Sequence, residues 1–191
     1  MTQDDMIQIF KDTDALLEGH FELSSGLHSD AYCQCALVLQ YPDRAEVLAR
    51  ELAKKVKELN ITCVIGPALG GVTIAYEVGR ALGVRAIFAE RKNGEMQIRR
   101  GFSVADEDRI LAVEDVITTG GSVKEVIALL RADRKNVVGV ASIINRSSGD
   151  VDFGAPFASL VDLPLKKYEP ETCPLCKAGS QAIKPGSRSK G

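Results

Sequence analysis

Two stretches of this chain, 61–83 and 109–132, follow one order: a short apolar run, a glycine-rich loop, then a helix with one apolar face. No other feature constrains the fold as much. A short apolar run bounded by turn residues is a buried strand, and a helix that follows it at once must pack back on the sheet. The next strand then enters parallel to the first. Ile61 to Ile65 reads as one such strand, ending in the loop Gly66-Pro67-Ala68-Leu69-Gly70-Gly71. A helix over about Val72 to Leu82 stops at Gly83. Val84 to Ala89, Arg109 to Val113, Val137 to Ile144 and Phe157 to Val161 are further strands. Ser122 to Ala132 is a helix with Ser122 and Glu125 spaced as a capping box. Upstream, Asp43 to Asn60 predicts a helix opened by Asp43 and Glu46 in the same spacing, with Leu48, Leu52, Val56 and Leu59 on one face. Met6 to Leu17 is a weaker helix. The fold class is α/β, a central mostly parallel sheet flanked by helices, and ligands of such sheets bind at the carboxyl ends of the strands.

The chain has 191 residues, 45% of them hydrophobic, which suits a single domain with a sizeable core. A formal net charge of −2 gives no general attraction for nucleic acid or an anionic membrane, so anions must be bound by local clusters. No apolar run is long enough to span a bilayer, and Asp4 and Asp5 make the N-terminal stretch acidic where a signal peptide would be basic. The expectation is a cytoplasmic protein with no nucleic-acid or membrane partner. The five cysteines, Cys33, Cys35, Cys63, Cys173 and Cys176, are odd in number and read as reduced thiols.

The chemistry concentrates in Glu114-Asp115-Val116-Ile117-Thr118-Thr119-Gly120-Gly121-Ser122. A strand ends in two acids, and a Thr/Gly loop opens onto a helix. Backbone N–H groups, hydroxyls and a helix N-terminus make an anion site, and glycine lets the backbone approach a phosphate. The acids would repel that phosphate, so they suit ribose hydroxyls beside it, or a metal ion. The other reading is an ordinary strand-to-helix turn with a polar lip. Neither a Walker loop nor a dinucleotide fingerprint is present.

This stretch resembles the PRPP-binding motif of the type I phosphoribosyltransferases. The resemblance implies that Glu114 to Ser122 bind PRPP and that Asp115 is catalytic. It implies that Pro67, Ala68, Leu69, Gly70 and Gly71 wrap the pyrophosphate. Mg²⁺ would come mainly through PRPP, with Glu114 and Asp115 as the acids in reach. Many orotate-using members carry a lysine where Gly70 stands. Residues 90–102 resemble the family's flexible hood hairpin, with the turn signal Asn93-Gly94 at its tip. Arg91 and Lys92 match a catalytic Arg-Lys pair that also meets PRPP, and the hood is shared across a homodimer. The usual Lys-x-His pair is missing, and Arg99 and Arg100 are the cations in its place.

Gly19 to Tyr32 is similar to the N-terminal segment of orotate phosphoribosyltransferases. Residues 1–40 with 165–191 would form a small lobe over the base site, the whole chain being one phosphoribosyltransferase domain. Orotate would meet Thr118, Ser24 and Arg146, whose guanidinium fork fits a carboxylate. The implied reaction joins orotate to PRPP in pyrimidine biosynthesis. A purine or uracil acceptor, or a PRPP-sensing regulatory protein, is the alternative. Cys173-Pro174-Leu175-Cys176 is half a zinc site, needing a second subunit or Cys33 and Cys35 to complete it; two thiols without metal is the simpler reading. His20 and His28 read as solvent-facing or hydrogen-bonded.

Overall fold

The computed structural model describes residues 1–23, 25–147 and 151–185. A six-stranded sheet forms the body, with β3 (Cys63–Pro67), β4 (Arg85–Lys92), β5 (Glu95–Ile98), β6 (Arg109–Ile117), β7 (Asn136–Asn145) and β8 (Phe157–Asp162). Its order is β5-β4-β3-β6-β7-β8, and only the β4–β5 pair is antiparallel. Burial on both faces explains the continuous apolar runs. Val64, Leu111 and Val113 point to the face covered by α3 (Pro42–Val56) and α4 (Gly70–Leu82). Ile65, Ile110 and Ala112 point to the other face, against α5 (Gly121–Ala132).

The connections leaving β3 and β6 diverge. From β3 the chain crosses by α4 to β4 on one side, and from β6 it crosses by α5 to β7 on the other. The gap between the carboxyl ends of these neighbours is therefore the switch point of the sheet, where an open cleft is unavoidable.

A second, three-stranded sheet joins β1 (Leu16–Glu22), β2 (His28–Cys33) and β9 (Lys167–Tyr168). The chain end adds the bridge between Phe21 and Ile183. By contrast, α1 (Gln3–Asp12) and α2 (Cys35–Leu39) send Met6, Phe10, Cys35 and Val38 into the main core, so only part of 1–40 stands apart from the body.

Several local expectations need correction. Helix α1 ends at Asp12, because Leu16 onward pairs with β2. Helix α3 starts at Pro42 without a side-chain cap, since Glu46 is held by Arg50 and Arg80; a 3₁₀ turn, Lys57–Leu59, then leads to Asn60 with φ 48°. Strand β6 runs past Val113 to Ile117, because Glu114, Val116 and Ile117 all pair with β7. A short helix, α6 (Pro174–Lys177), interrupts the tail read as irregular. The Asn93-Gly94 turn forms as expected, with φ of 54° and 89°. Its strand β5 is anchored through buried Met96.

Candidate active site

Two clefts open at the switch point, and both take in Val116 and Thr118. The first, about 280 Å³, is formed by the loop Thr118–Ser122 with Arg91, Glu114 and Glu125. The second, about 620 Å³, holds Asp115 and Arg146 between α2 and the start of α4. Strand alternation explains the division of the two acids. Glu114 has the parity of Ile110 and Ala112 and turns to the α5 side; Asp115 has the parity of Leu111 and Val113 and turns to the α4 side.

In the first cleft the expected capping box is absent. Gly120, at φ 73°, is the N-cap of α5, no side chain caps the helix, and Ser122 lies inside its first turn. Glu125 is held instead by Arg91, whose Nη2 donates to Oε1 at 2.6 Å. Among the described residues no side chain competes for the first-turn N–H groups, which leaves them to an anion such as a phosphate. Gly120 also sits against Phe153, where a Cβ would lie 2.8 Å from the ring. Phe153, buried and backing the loop, had no distinguishing signal in the sequence.

Glu114 is 9% exposed, and the Asp115 N–H donates to its Oε1 at 3.2 Å. Burial first, and then the neighbouring Asp115 charge, push its pKa to about 9. The upward shift favours the neutral acid, which softens the repulsion anticipated between this pair and a phosphate. Asp115 accepts from the Val116 N–H at 2.8 Å. The Gly66–Gly71 loop closes against it, and the Ala68–Leu69 peptide in that loop is cis. Leu69 is 88% exposed at the cleft edge.

Arg146 follows β7, and its backbone N–H donates to the Ile117 carbonyl at 2.7 Å, which ties it to the end of β6. Its Nε is buried and has no hydrogen-bond partner among the described residues. Burial lowers its pKa, and the ionisable groups that act on it are Cys33, Tyr32 and Cys35. Among the described residues it forms no ion pair. A desolvated guanidinium facing an open cleft is costly unless an anion joins it. Cys33 and Cys35 are thus neighbours of Arg146 and do not complete the Cys173/Cys176 pair.

The hood cations divide. Arg91 lines the first cleft of its own chain. Lys92 ends β4 in an exposed position. Arg99 and Arg100 are both taken up by Glu90, Arg100 through two bonds of 2.9 and 3.0 Å. Ser24 lies outside the described residues.

Comparison with known proteins agrees with this geometry. The phosphoribosyl transferase domain family matches residues 38–161. The orotate phosphoribosyltransferase of Caldanaerobacter subterraneus subsp. tengcongensis is 54% identical over 98% of this chain and 99% of its own length. That of Caldicellulosiruptor bescii is 55% identical over 100% of both chains. The crystal structure of Mycobacterium tuberculosis H37Rv orotate phosphoribosyltransferase in complex with inorganic phosphate superposes with a TM-score of 0.69, at 21% identity, over 84% of this chain and 95% of the other. At that identity it speaks to the fold alone.

Proposed function

This chain belongs to the phosphoribosyltransferase family, among its orotate phosphoribosyltransferases, and from that premise we infer how its two clefts divide the reaction of orotate with PRPP. The ring nitrogen of orotate bonds to C1 of the ribose and gives up its proton to solvent. The bond from C1 to the pyrophosphate oxygen breaks, and its electron pair leaves with pyrophosphate. The products are orotidine 5′-monophosphate and pyrophosphate, a step of pyrimidine biosynthesis.

The first cleft takes the 5-phosphate on the amides of Thr118–Ser122. Asp115 receives the ribose hydroxyls at the junction, and the Gly66–Gly71 loop receives the pyrophosphate. Orotate lies in the second cleft with its carboxylate on Arg146. Positive charge builds on the ribose as the bond breaks, so a carboxylate beside the ring stabilises it. Orotate supplies its own nucleophile, and the protein needs no covalent one. Its task is to align two anions and exclude water.

Mg²⁺ fits this site as a shared ligand of substrate and protein. Gly70 leaves Asp115 Oδ1 uncovered, since a Cβ there would lie 2.8 Å away. Asp115, with Glu114 beside it, would hold the ion together with PRPP. When bound, the ion supplies positive charge to the leaving pyrophosphate.

The observation that carries the choice of acceptor is the buried Arg146 Nε in the cleft of Asp115, without a hydrogen-bond partner among the described residues. Orotate differs from uracil by one carboxylate, and neutral bases offer nothing to this guanidinium. We also propose a cytoplasmic homodimer, with Lys92 of the hood reaching a neighbouring site and the β1-β2-β9 sheet covering the base. No helix among the described residues is long and apolar enough to cross a membrane. The test is turnover of purified protein with Mg²⁺ and PRPP, offered orotate, uracil, hypoxanthine and adenine separately. Turnover with orotate alone is expected; preference for any neutral base would overturn the assignment.

A further inference from the structure

Away from the clefts, four side chains from opposite ends of the chain converge on one point. His20 on β1 and His28 on β2 meet Cys173 and Cys176 of the C-terminal segment, and one nitrogen or sulfur atom of each lies within 4.8 Å of all the others. His20 Nε2 is 3.5 Å from Cys173 Sγ and 3.8 Å from Cys176 Sγ. His28 Nδ1 is 3.4 Å from Cys176 Sγ and 2.9 Å from His20 Nε2. A tetrahedron with Zn–S near 2.3 Å and Zn–N near 2.0–2.1 Å has edges of about 3.3–3.8 Å. Those three sulfur–nitrogen spacings fall in that range, the nitrogen pair must open by about half an ångström, and the remaining pairs, all within 4.8 Å, must close onto the ion.

The rest of the geometry points the same way. His20 Nδ1 lies 3.2 Å from the Ser180 carbonyl. Donating there puts the lone pair on Nε2, facing the cluster, which is how metal-bound histidines are usually oriented. His20 is 6% exposed and has no carboxylate partner among the described residues. Cys173 is 0% exposed, and it is the sole buried residue from 169 to 185. A segment with one buried side chain has almost no hydrophobic reason to stay on the body. Its other ties include the contact of Ser180 with His20, the backbone bonds of Ile183 to His20 and Glu22, and an exposed Lys184–Glu22 pair.

We propose that His20, His28, Cys173 and Cys176 form a closed structural zinc site that fastens the C-terminal segment to the β1–β2 hairpin. The donor set is that of a thiophilic, tetrahedral ion, and four protein ligands leave no open position for catalysis. Binding releases the two thiol protons to solvent, and two thiolates with two neutral imidazoles balance the charge of Zn²⁺. The two histidines bracket the turn of the β1–β2 hairpin. The ion therefore fixes the base of that turn as well as the tail. This assignment stands independently of the transferase reading.

The experiment measures metal in the full chain purified under reducing conditions, without added zinc. Elemental analysis should find about one zinc per chain. It should be lost in Cys173→Ser/Cys176→Ser and strongly reduced in His28→Ala. Wild-type protein stripped of metal should unfold at a lower temperature and regain its stability with Zn²⁺ but not with Mg²⁺. Reconstitution with Co²⁺ should give the thiolate charge-transfer and tetrahedral ligand-field bands, a readout that survives if the variants fail to fold. Protein that is metal-free, takes up no Co²⁺ with those bands, or holds a Cys173–Cys176 disulfide in its reduced preparation would overturn the proposal.

Discussion

Gly70 stands against Asp115 so closely that a Cβ on it would lie 2.8 Å from Oδ1 and 3.0 Å from the carboxyl carbon. The loop after β3 and the end of β6 touch here, across the switch point, and glycine is what lets them do so with the carboxylate left open. Gly70→Ala should push Asp115 off its position. Overpacking costs about 1–3 kcal/mol, equivalent to roughly five- to 150-fold in rate if all of it falls on the transition state. Steady-state kinetics beside thermal unfolding check this. Activity should drop with little loss of stability, because Gly70 opens α4 at the exposed cleft edge.

Asp115→Asn should leave the fold intact and lower turnover by about a hundredfold or more, as for a group acting on charge in the transition state. A folded Asp115→Asn protein with near-normal turnover would mean that the ribose is held elsewhere.

Glu114 makes stability depend on pH. Its folded pKa is about 9, against an ordinary 4.5. Between those values the unfolded chain has lost the proton and the folded chain keeps it, so the unfolded state binds fewer protons and stability falls as pH rises. Glu114→Gln should flatten that slope in the ligand-free protein and stabilise it most at alkaline pH. Chemical denaturation at several pH values between 5 and 9 measures it. An unchanged slope in Glu114→Gln would show that the carboxyl is ionised in the fold.

The expected sharing of the hood between subunits can be tested by complementation. Neither an Asp115→Asn protein nor a Lys92→Ala/Arg99→Ala protein should be fully active alone. Mixed, they should regain activity through hybrid sites that carry both intact elements. Arg91 is left unchanged, because it lines the cleft of its own chain. Full activity in a protein that light scattering finds monomeric would refute the shared site.

What was legible in the sequence was whatever short-range pattern determines. The apolar runs located the strands, Asn93-Gly94 the hairpin turn, and Glu114 to Ser122 the strand-to-helix loop that lines the first cleft. Two-residue alternation would also have sent Glu114 and Asp115 to opposite faces, had β6 been carried on to Ile117; the acids disguised its end. Contacts distant in sequence were not legible. Glu125 looked like a cap because its spacing from Ser122 is right, yet Arg91, 34 residues earlier, holds it. His20 and Cys173 are 153 residues apart, and no local pattern announces that a hairpin and a tail will meet. Arg146 could be read as a strand-end cation, but its buried, unpaired Nε depends on how Cys33 and Cys35 pack around it.

That unpaired Nε yields the sharpest prediction, because a site built around a missing partner has to fail selectively. Arg146→Ala removes the group proposed to read the orotate carboxylate while leaving the Thr118–Ser122 loop untouched. Losing a charge-assisted contact in a desolvated site costs on the order of 2–5 kcal/mol. Discrimination against an analogue lacking the paired group can reach about 10⁴-fold. Orotate turnover should therefore collapse in Arg146→Ala, PRPP binding measured by calorimetry should hardly change, and the preference for orotate over uracil should vanish. Arg146→Lys should recover little, since an ammonium is a point charge and cannot reproduce the planar two-pronged contact. If PRPP binding is lost instead, Arg146 serves the phosphate and the carboxylate is read by another group. If orotate turnover stays normal, the burial of this guanidinium serves packing alone.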